Sequence, residues 1–105
     1  MVREINRNID MTIGTSVVVV SKQVQFPTNE RKVITLINNS TSGQIITIAI
    51  GDQALTNKGI TLYPGGFYQE SHDAGFIPTQ VHITAISDGA SGSLSIQERI
   101  LLRGQ

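Results

Sequence analysis

The stretch from Arg31 to Ile50, RKVITLINNSTSGQIITIAI, decides the fold class. It holds two segments dense in β-branched residues, joined by a turn of Ser, Thr, Asn and Gly. Branching at Cβ suits a pleated, half-buried strand and disfavours a helix. Two more clauses have the same grammar: GITLYPGGFYQES from Gly59 to Ser71, and VHITAISDGASGSLSIQERILL from Val81 to Leu102. Short β-rich segments punctuated by glycine turns predict an all-β chain, an antiparallel β-sandwich of about eight short strands. A jelly-roll and an immunoglobulin-like arrangement both fit, because strand order is not written in local periodicity.

Working outward, Arg31–Asn38 and Gln44–Ile50 are expected to pair as a hairpin across Asn39–Gly43, both as interior strands. Val81–Ser87 and Ser93–Leu102 are expected to form a second hairpin around Asp88–Gly92. Tyr63-Pro64-Gly65-Gly66 predicts a tight turn, with Pro presetting φ and the glycine after it taking positive φ. Val17–Val20 places four β-branched residues in a row, which predicts a strand covered on both faces: a central strand, or one covered by a neighbouring subunit. Ile9, Met11 and Ile13 alternate with Asp10 and Thr12, the period of a strand with one buried face. Residues 1–14 therefore read as an N-terminal arm or first strand, and residues 15–105 as a single β-sandwich domain.

Composition narrows the function. The 105 residues carry eight basic and eight acidic side chains, for a formal net charge of zero. Only 15% of residues are charged, against about 25% in average domains. The basic residues are scattered, so nucleic acid is not an expected partner. Cysteine is absent, which removes disulfides and thiolate metal sites. The longest apolar run, Val17–Val20, is far below the roughly 20 residues of a membrane helix, so no membrane partner is expected. MVREINRNIDMTIG lacks the apolar core of a signal peptide, and synthesis in a host cytoplasm is expected.

Ser71-His72-Asp73 sets three catalytic residue types side by side, but neighbours on a strand point to opposite faces, which defeats a relay. His72, His82, Asp52, Asp73 and Asp88 lack the spacing of a zinc or calcium site. Gly51-Asp52-Gln53 and Tyr63–Gly66 match no phosphate loop. The expectation is no catalytic residue, no cofactor and no metal. Two other sites remain. Aromatics gather between residues 63 and 76, where Tyr63, Tyr68, Gln69 and Asp73 could form a glycan or partner contact, although core or interface packing fits these rings better. Ile9, Met11, Ile13 and Glu98 form a candidate assembly contact. Glu98 shares its strand phase with Leu94, Ile96, Ile100 and Leu102, which would point a carboxylate inward. It is expected to pair with Arg31 or Arg99, to be re-aimed by a bulge, or to sit in a subunit interface.

The order of segments resembles small virion proteins of tailed phages and related prokaryotic viruses. The residues that carry the resemblance are Arg31–Asn39 (RKVITLINN), Ile48–Gln53 (IAIGDQ), Gly59–Gly66 (GITLYPGG), Val81–Ser87 (VHITAIS) and Gly92–Glu98 (GSLSIQE). They span most of residues 30–100, and they are signatures of a fold, not of a chemistry. The resemblance implies a non-enzymatic structural protein of the virion, decorating or stabilising a capsid or vertex through symmetric self-association. Its partners would be copies of itself and other virion proteins of capsid or tail. The alternative is a receptor- or glycan-binding adhesin module of a tail or head fibre.

Overall fold

The computed structural model describes residues 2–72 and 78–103, and among them the chain forms eight strands and no α-helix. They are β1 (Val2–Ile13), β2 (Val18–Ser21), β3 (Asn29–Asn38), β4 (Ile46–Ile50), β5 (Ile60–Leu62), β6 (Phe67–Ser71), β7 (Ile83–Ser87) and β8 (Gly92–Arg103). Two four-stranded sheets result, in the orders β1-β8-β3-β6 and β2-β7-β4-β5. Every pairing is antiparallel: β1 with β8, β2 with β7, β3 with β6 and β4 with β5 nest inside one another, and β3–β8 and β4–β7 close the sheets. The chain is in effect one long hairpin, bent at the β4–β5 loop and wound over itself. That is the jelly-roll order of a double Greek key, and it resolves the choice between the two sandwiches.

Winding overturns both expected hairpins. β3 and β4 lie in different sheets, as do β7 and β8. Their turns cross the end of the sandwich, and the one pairing of consecutive strands is β4 with β5. The interior placement of β3 and β4 is as expected, since each has a strand on either side. Not all the strands are short: β1 and β8 run twelve residues each, their outer rows being polar and therefore free to stay wet.

Alternation locates the core. Leu94 and Ile96 of β8, Ile34 and Leu36 of β3, Ile46 and Ile48 of β4, Ile83 and Ala85 of β7, with Ile13, Val20 and Leu62, fill the space between the sheets. Val17–Val20 is not the central strand that was one of the two expectations. β2 is an edge strand, and Val17 and Val19 are 38% and 48% exposed while Val20 is buried. The outer face of β7 and β4 is nonetheless covered. Thr84 Oγ1 accepts the Ala54 N–H at 2.9 Å and donates to Asp52 O at 2.7 Å, and Thr47 Oγ1 accepts the Asn57 N–H at 3.0 Å. Those two hydroxyls fold the β4–β5 loop over the sheet, burying Ala54, Thr47 and Thr84.

The turn at Tyr63-Pro64-Gly65-Gly66 is the one expected. Gly65 takes φ +85° and the Gly66 N–H donates to Tyr63 O at 2.6 Å, a type II arrangement. Asn38, fully buried at the end of β3, joins this turn to the β3–β4 crossover. Its Nδ2 donates to Gln44 O and Leu62 O, both at 2.8 Å, and its backbone exchanges hydrogen bonds with Gly65 and Gly66.

Candidate functional site

The residues marked for a glycan or partner contact do not converge. Along β6 successive side chains alternate between the interior and the outer face. Tyr68 packs against the core and its hydroxyl donates to the Glu70 carboxylate. Gln69 points outward and its Nε2 donates to Thr35 Oγ1 at 3.0 Å. Tyr63 stands 64% exposed before the turn, and Phe67 is equally open. Asp73 and Phe76 lie outside the described residues. Burial and the Glu70 contact push the Tyr68 phenol up from an ordinary 10.0 to about 12. This is the behaviour of an anchored ring, and it separates Tyr68 from the exposed pair.

The Glu98 anomaly resolves into a buried ion cluster. The expected Arg31 pairing occurs, and Glu98 keeps its inward phase; the β3–β8 ladder slips between Arg31 and Val33, so the bulge lies on β3 and re-aims Arg31, not Glu98. Glu98 Oε2 accepts from Arg31 Nε at 2.9 Å and from the Ser21 hydroxyl, while Oε1 accepts from Arg7 Nε at 3.1 Å. Arg31 is fully buried and spends every donor of its guanidinium: Nη1 on Thr79 O and Val81 O, Nη2 on Ser21 Oγ and Lys22 O. Arg99 sits on the opposite face, its Nε 4.0 Å from Glu4. Glu98, at 3% exposure, therefore ties the chain to itself and is not available as an assembly contact. Ile13 is likewise core. Glu30 sits near the same end: burial raises its pKa, but hydrogen bonds from Arg103 and Lys32 outweigh that and hold it below the ordinary glutamate value.

The cluster exists because one sheet overhangs the other. β1, β3 and β8 run ten to twelve residues side by side, while the facing strands have three to five residues. The overhang is filled by the Arg31–Glu98 bonds, by Val24, and by the 22–25 and 78–81 segments, which meet where Val24 N–H donates to Gln80 O at 2.8 Å. Between the sheet edges, at β1 and β2, lies an open groove of about 440 Å³ lined by Arg7, Met11, Val19, Val20, Val24 and Ile100 among others.

Of the marked assembly residues, the structure leaves Ile9 (38% exposed) and half-buried Met11 at this edge. Ile5, which the sequence reading missed, joins them, as do Val17 and Val19, for which cover by a neighbouring subunit was one of the two expectations. The signal for Ile5 was present: the alternation of Ile9, Met11 and Ile13 continues back through Arg7 and Ile5. No second strand pairs with β1 among the described residues. The four sheet edges differ sharply. β2 has four residues and a register shift after Val19; β5 has three and β6 five. β1 has twelve, in unbroken register with β8 from Val2↔Arg103 to Ile13↔Gly92, and contains neither proline nor lysine. Natural sheets usually blunt such edges with short strands, bulges, Pro or charged side chains, and of these β1 has only charge, at Arg3, Glu4, Arg7 and Asp10.

No three His, Cys, Asp or Glu side chains come together to hold a metal among the described residues. His72 is exposed, Asp52 accepts the Gln53 N–H and Asp88 accepts the Ile45 N–H. Asp88 and Asp52 thus serve turns.

Fold and edge together define a jelly-roll β-sandwich with one long open strand. Neither a protein-family model nor a curated protein matches the sequence. Among solved structures the chain is similar to one of Bacillus endospore appendages, which form a novel family of disulfide-linked pili. The TM-score is 0.57 at 10% sequence identity, over 99% of this chain and 89% of that chain. At that identity the likeness shows the fold alone.

Proposed function

We propose that this chain is a non-enzymatic structural subunit that assembles with copies of itself in a virus particle. The observation that carries the reading is the β1 edge: long, regular, free of bulge and proline, and flanked by exposed Ile5, Ile9, Val17 and Val19. A soluble β protein that kept to itself would be expected to guard such an edge. Zero net charge lets copies approach without repulsion. The buried polar side chains support it as well, because Glu98, Arg31 and Asn38 are spent on internal bonds.

A second reading, a filament subunit, is favoured by the likeness to pili. In the present 105 residues cysteine is absent, so links between copies here would be non-covalent. Light scattering across a concentration series, followed by electron microscopy, tests both. A closed oligomer supports the virion reading, and an open helical fibre supports the filament. A monomer at every concentration overturns self-assembly.

A further inference from the structure

We propose, resting on that reading, that two copies join β1 to β1, antiparallel across a two-fold axis, in one register centred on Asn8. The edge itself argues for a second copy as occupant, since a self-complementary patch is what a two-fold contact requires. In an antiparallel ladder, facing residues share a side of the sheet. A two-fold axis normal to the sheet therefore matches odd positions of β1 with odd ones and even with even. The odd row is Arg3, Ile5, Arg7, Ile9, Met11 and Ile13; the even row is Glu4, Asn6, Asn8, Asp10 and Thr12.

Charge then selects among registers, because like charges directly opposite destabilise a sheet. Centring on Arg7 sets Arg7 on Arg7 and Glu4 on Asp10. Centring on Ile5 sets Arg3 on Arg7. Centring on Asn6 avoids like charges but spans only residues 2–10, leaving Met11 and Ile13 beyond the partner's β1. Centring on Ile9 strands Arg3 and Glu4 beyond the partner's β1. Centring on Asn8 spans residues 3–13, the longest register that opposes no like charges; it faces Arg7 with Ile9 and Arg3 with Ile13, sets exposed Ile5 against Met11 and brings the Asn6 amide to the Asp10 carboxylate. Each copy's four-stranded sheet then continues into the other's, and the apolar groove beside β1 is roofed by the partner's odd row.

The absence of native cysteine makes the register directly readable. Facing Cβ atoms in such a ladder are about 4.5–5.5 Å apart, within reach of a disulfide after small adjustment. Asn8 is exposed, so Asn8→Cys leaves the fold intact. On oxidation Asn8→Cys is expected to cross-link to a dimer in most of the protein. Asn6→Cys alone and Asp10→Cys alone are expected to give traces, and an equal mixture of those two to give a cross-linked heterodimer. Gln69→Cys on the β6 edge serves as the control for random collision. Light scattering of the unsubstituted chain is read in parallel. An oligomer whose Asn8→Cys form does not cross-link overturns the β1 pairing while leaving self-assembly standing. A monomer at every concentration overturns both. Cross-linking of Asn6→Cys or Asp10→Cys alone, at the level expected of Asn8→Cys, overturns the register.

Discussion

Residue 98 shows how a single polar side chain in an apolar phase reports on the three-dimensional surroundings. Its position among Leu94, Ile96, Ile100 and Leu102 was legible as an anomaly, and Arg31 was legible as a partner. Ser21 and Arg7 were not, because they belong to strands whose proximity follows from winding, not from sequence distance. A satisfied buried pair is weakly stabilising, whereas removing one partner leaves an uncompensated charge. Glu98→Ala is therefore expected to lose about 3–5 kcal/mol in urea unfolding, since Arg31 stays buried beside it. The double change Glu98→Leu with Arg31→Met is expected to lose less than the sum of the two single changes, as a directly bonded pair requires and two independent losses do not. Tyr68 offers a second reading at this scale. Its pKa, raised from 10.0 to about 12 by burial and by Glu70, favours the protonated phenol in the folded state. Its contribution to stability is thus complete below pH 10 and is lost as pH rises from there toward about 12. In Tyr63→Phe, Tyr68 is the remaining tyrosine, and its absorbance titration is expected to have its midpoint near 12; a midpoint near 10 would mean the ring is not anchored.

Individual strands were largely readable, and their partners were not. Alternation in β1 and β8 marks the inner face correctly, because a residue's burial depends on the pleat beneath it. Pairing depends on which sheet a strand enters. In a jelly roll nearly every turn carries the chain across the sandwich, so the turn chemistry of Asn39–Gly43 and Asp88–Gly92 looks like a hairpin and acts as a crossover. The central placement of Val17–Val20 failed for a related reason: four β-branched residues signal strand, but the exposure of Val17 and Val19 follows from edge position. The cover over β4 and β7 was also invisible, since it rests on two threonine hydroxyls meeting a loop. Thr84→Val removes the hydroxyl that both accepts from Ala54 and donates to Asp52, leaving the buried Ala54 N–H and the part-buried Asp52 carbonyl unmatched. A loss of about 1–3 kcal/mol is expected. Hydrogen exchange should show the change concentrated at the Ala54 amide and its loop, while β1 and β8 stay protected; uniform loosening would mean that the loop is not separately held.

At the scale of the molecule, β1 and β8 are the first and last strands and lie side by side from Val2↔Arg103 to Ile13↔Gly92. The first strand is thus part of the core sheet, with Ile13 fully buried and Arg7 bonded to Glu98. Deleting residues 1–14 would strip an edge from Leu94 and Ile96, so it cannot separate assembly from folding. A circular permutant can. Antiparallel partners lie about 4.5–5.5 Å apart at Cα, and a short Gly-rich turn can join the C-terminal end of β8 to the start of β1. New termini then open in the exposed Thr15-Ser16 bend, which carries no core side chain. The permutant is expected to fold with the sheet content of the parent by circular dichroism and to melt within a few degrees of it. Because β1 is now tethered to its own β8 as a hairpin, it is no longer free to exchange into a neighbour's sheet, while its outer edge remains open. If copies associate edge to edge, the permutant keeps the parent's solution mass. If they associate by lending β1 to one another, the permutant becomes a monomer, and the edge-pairing account fails with it.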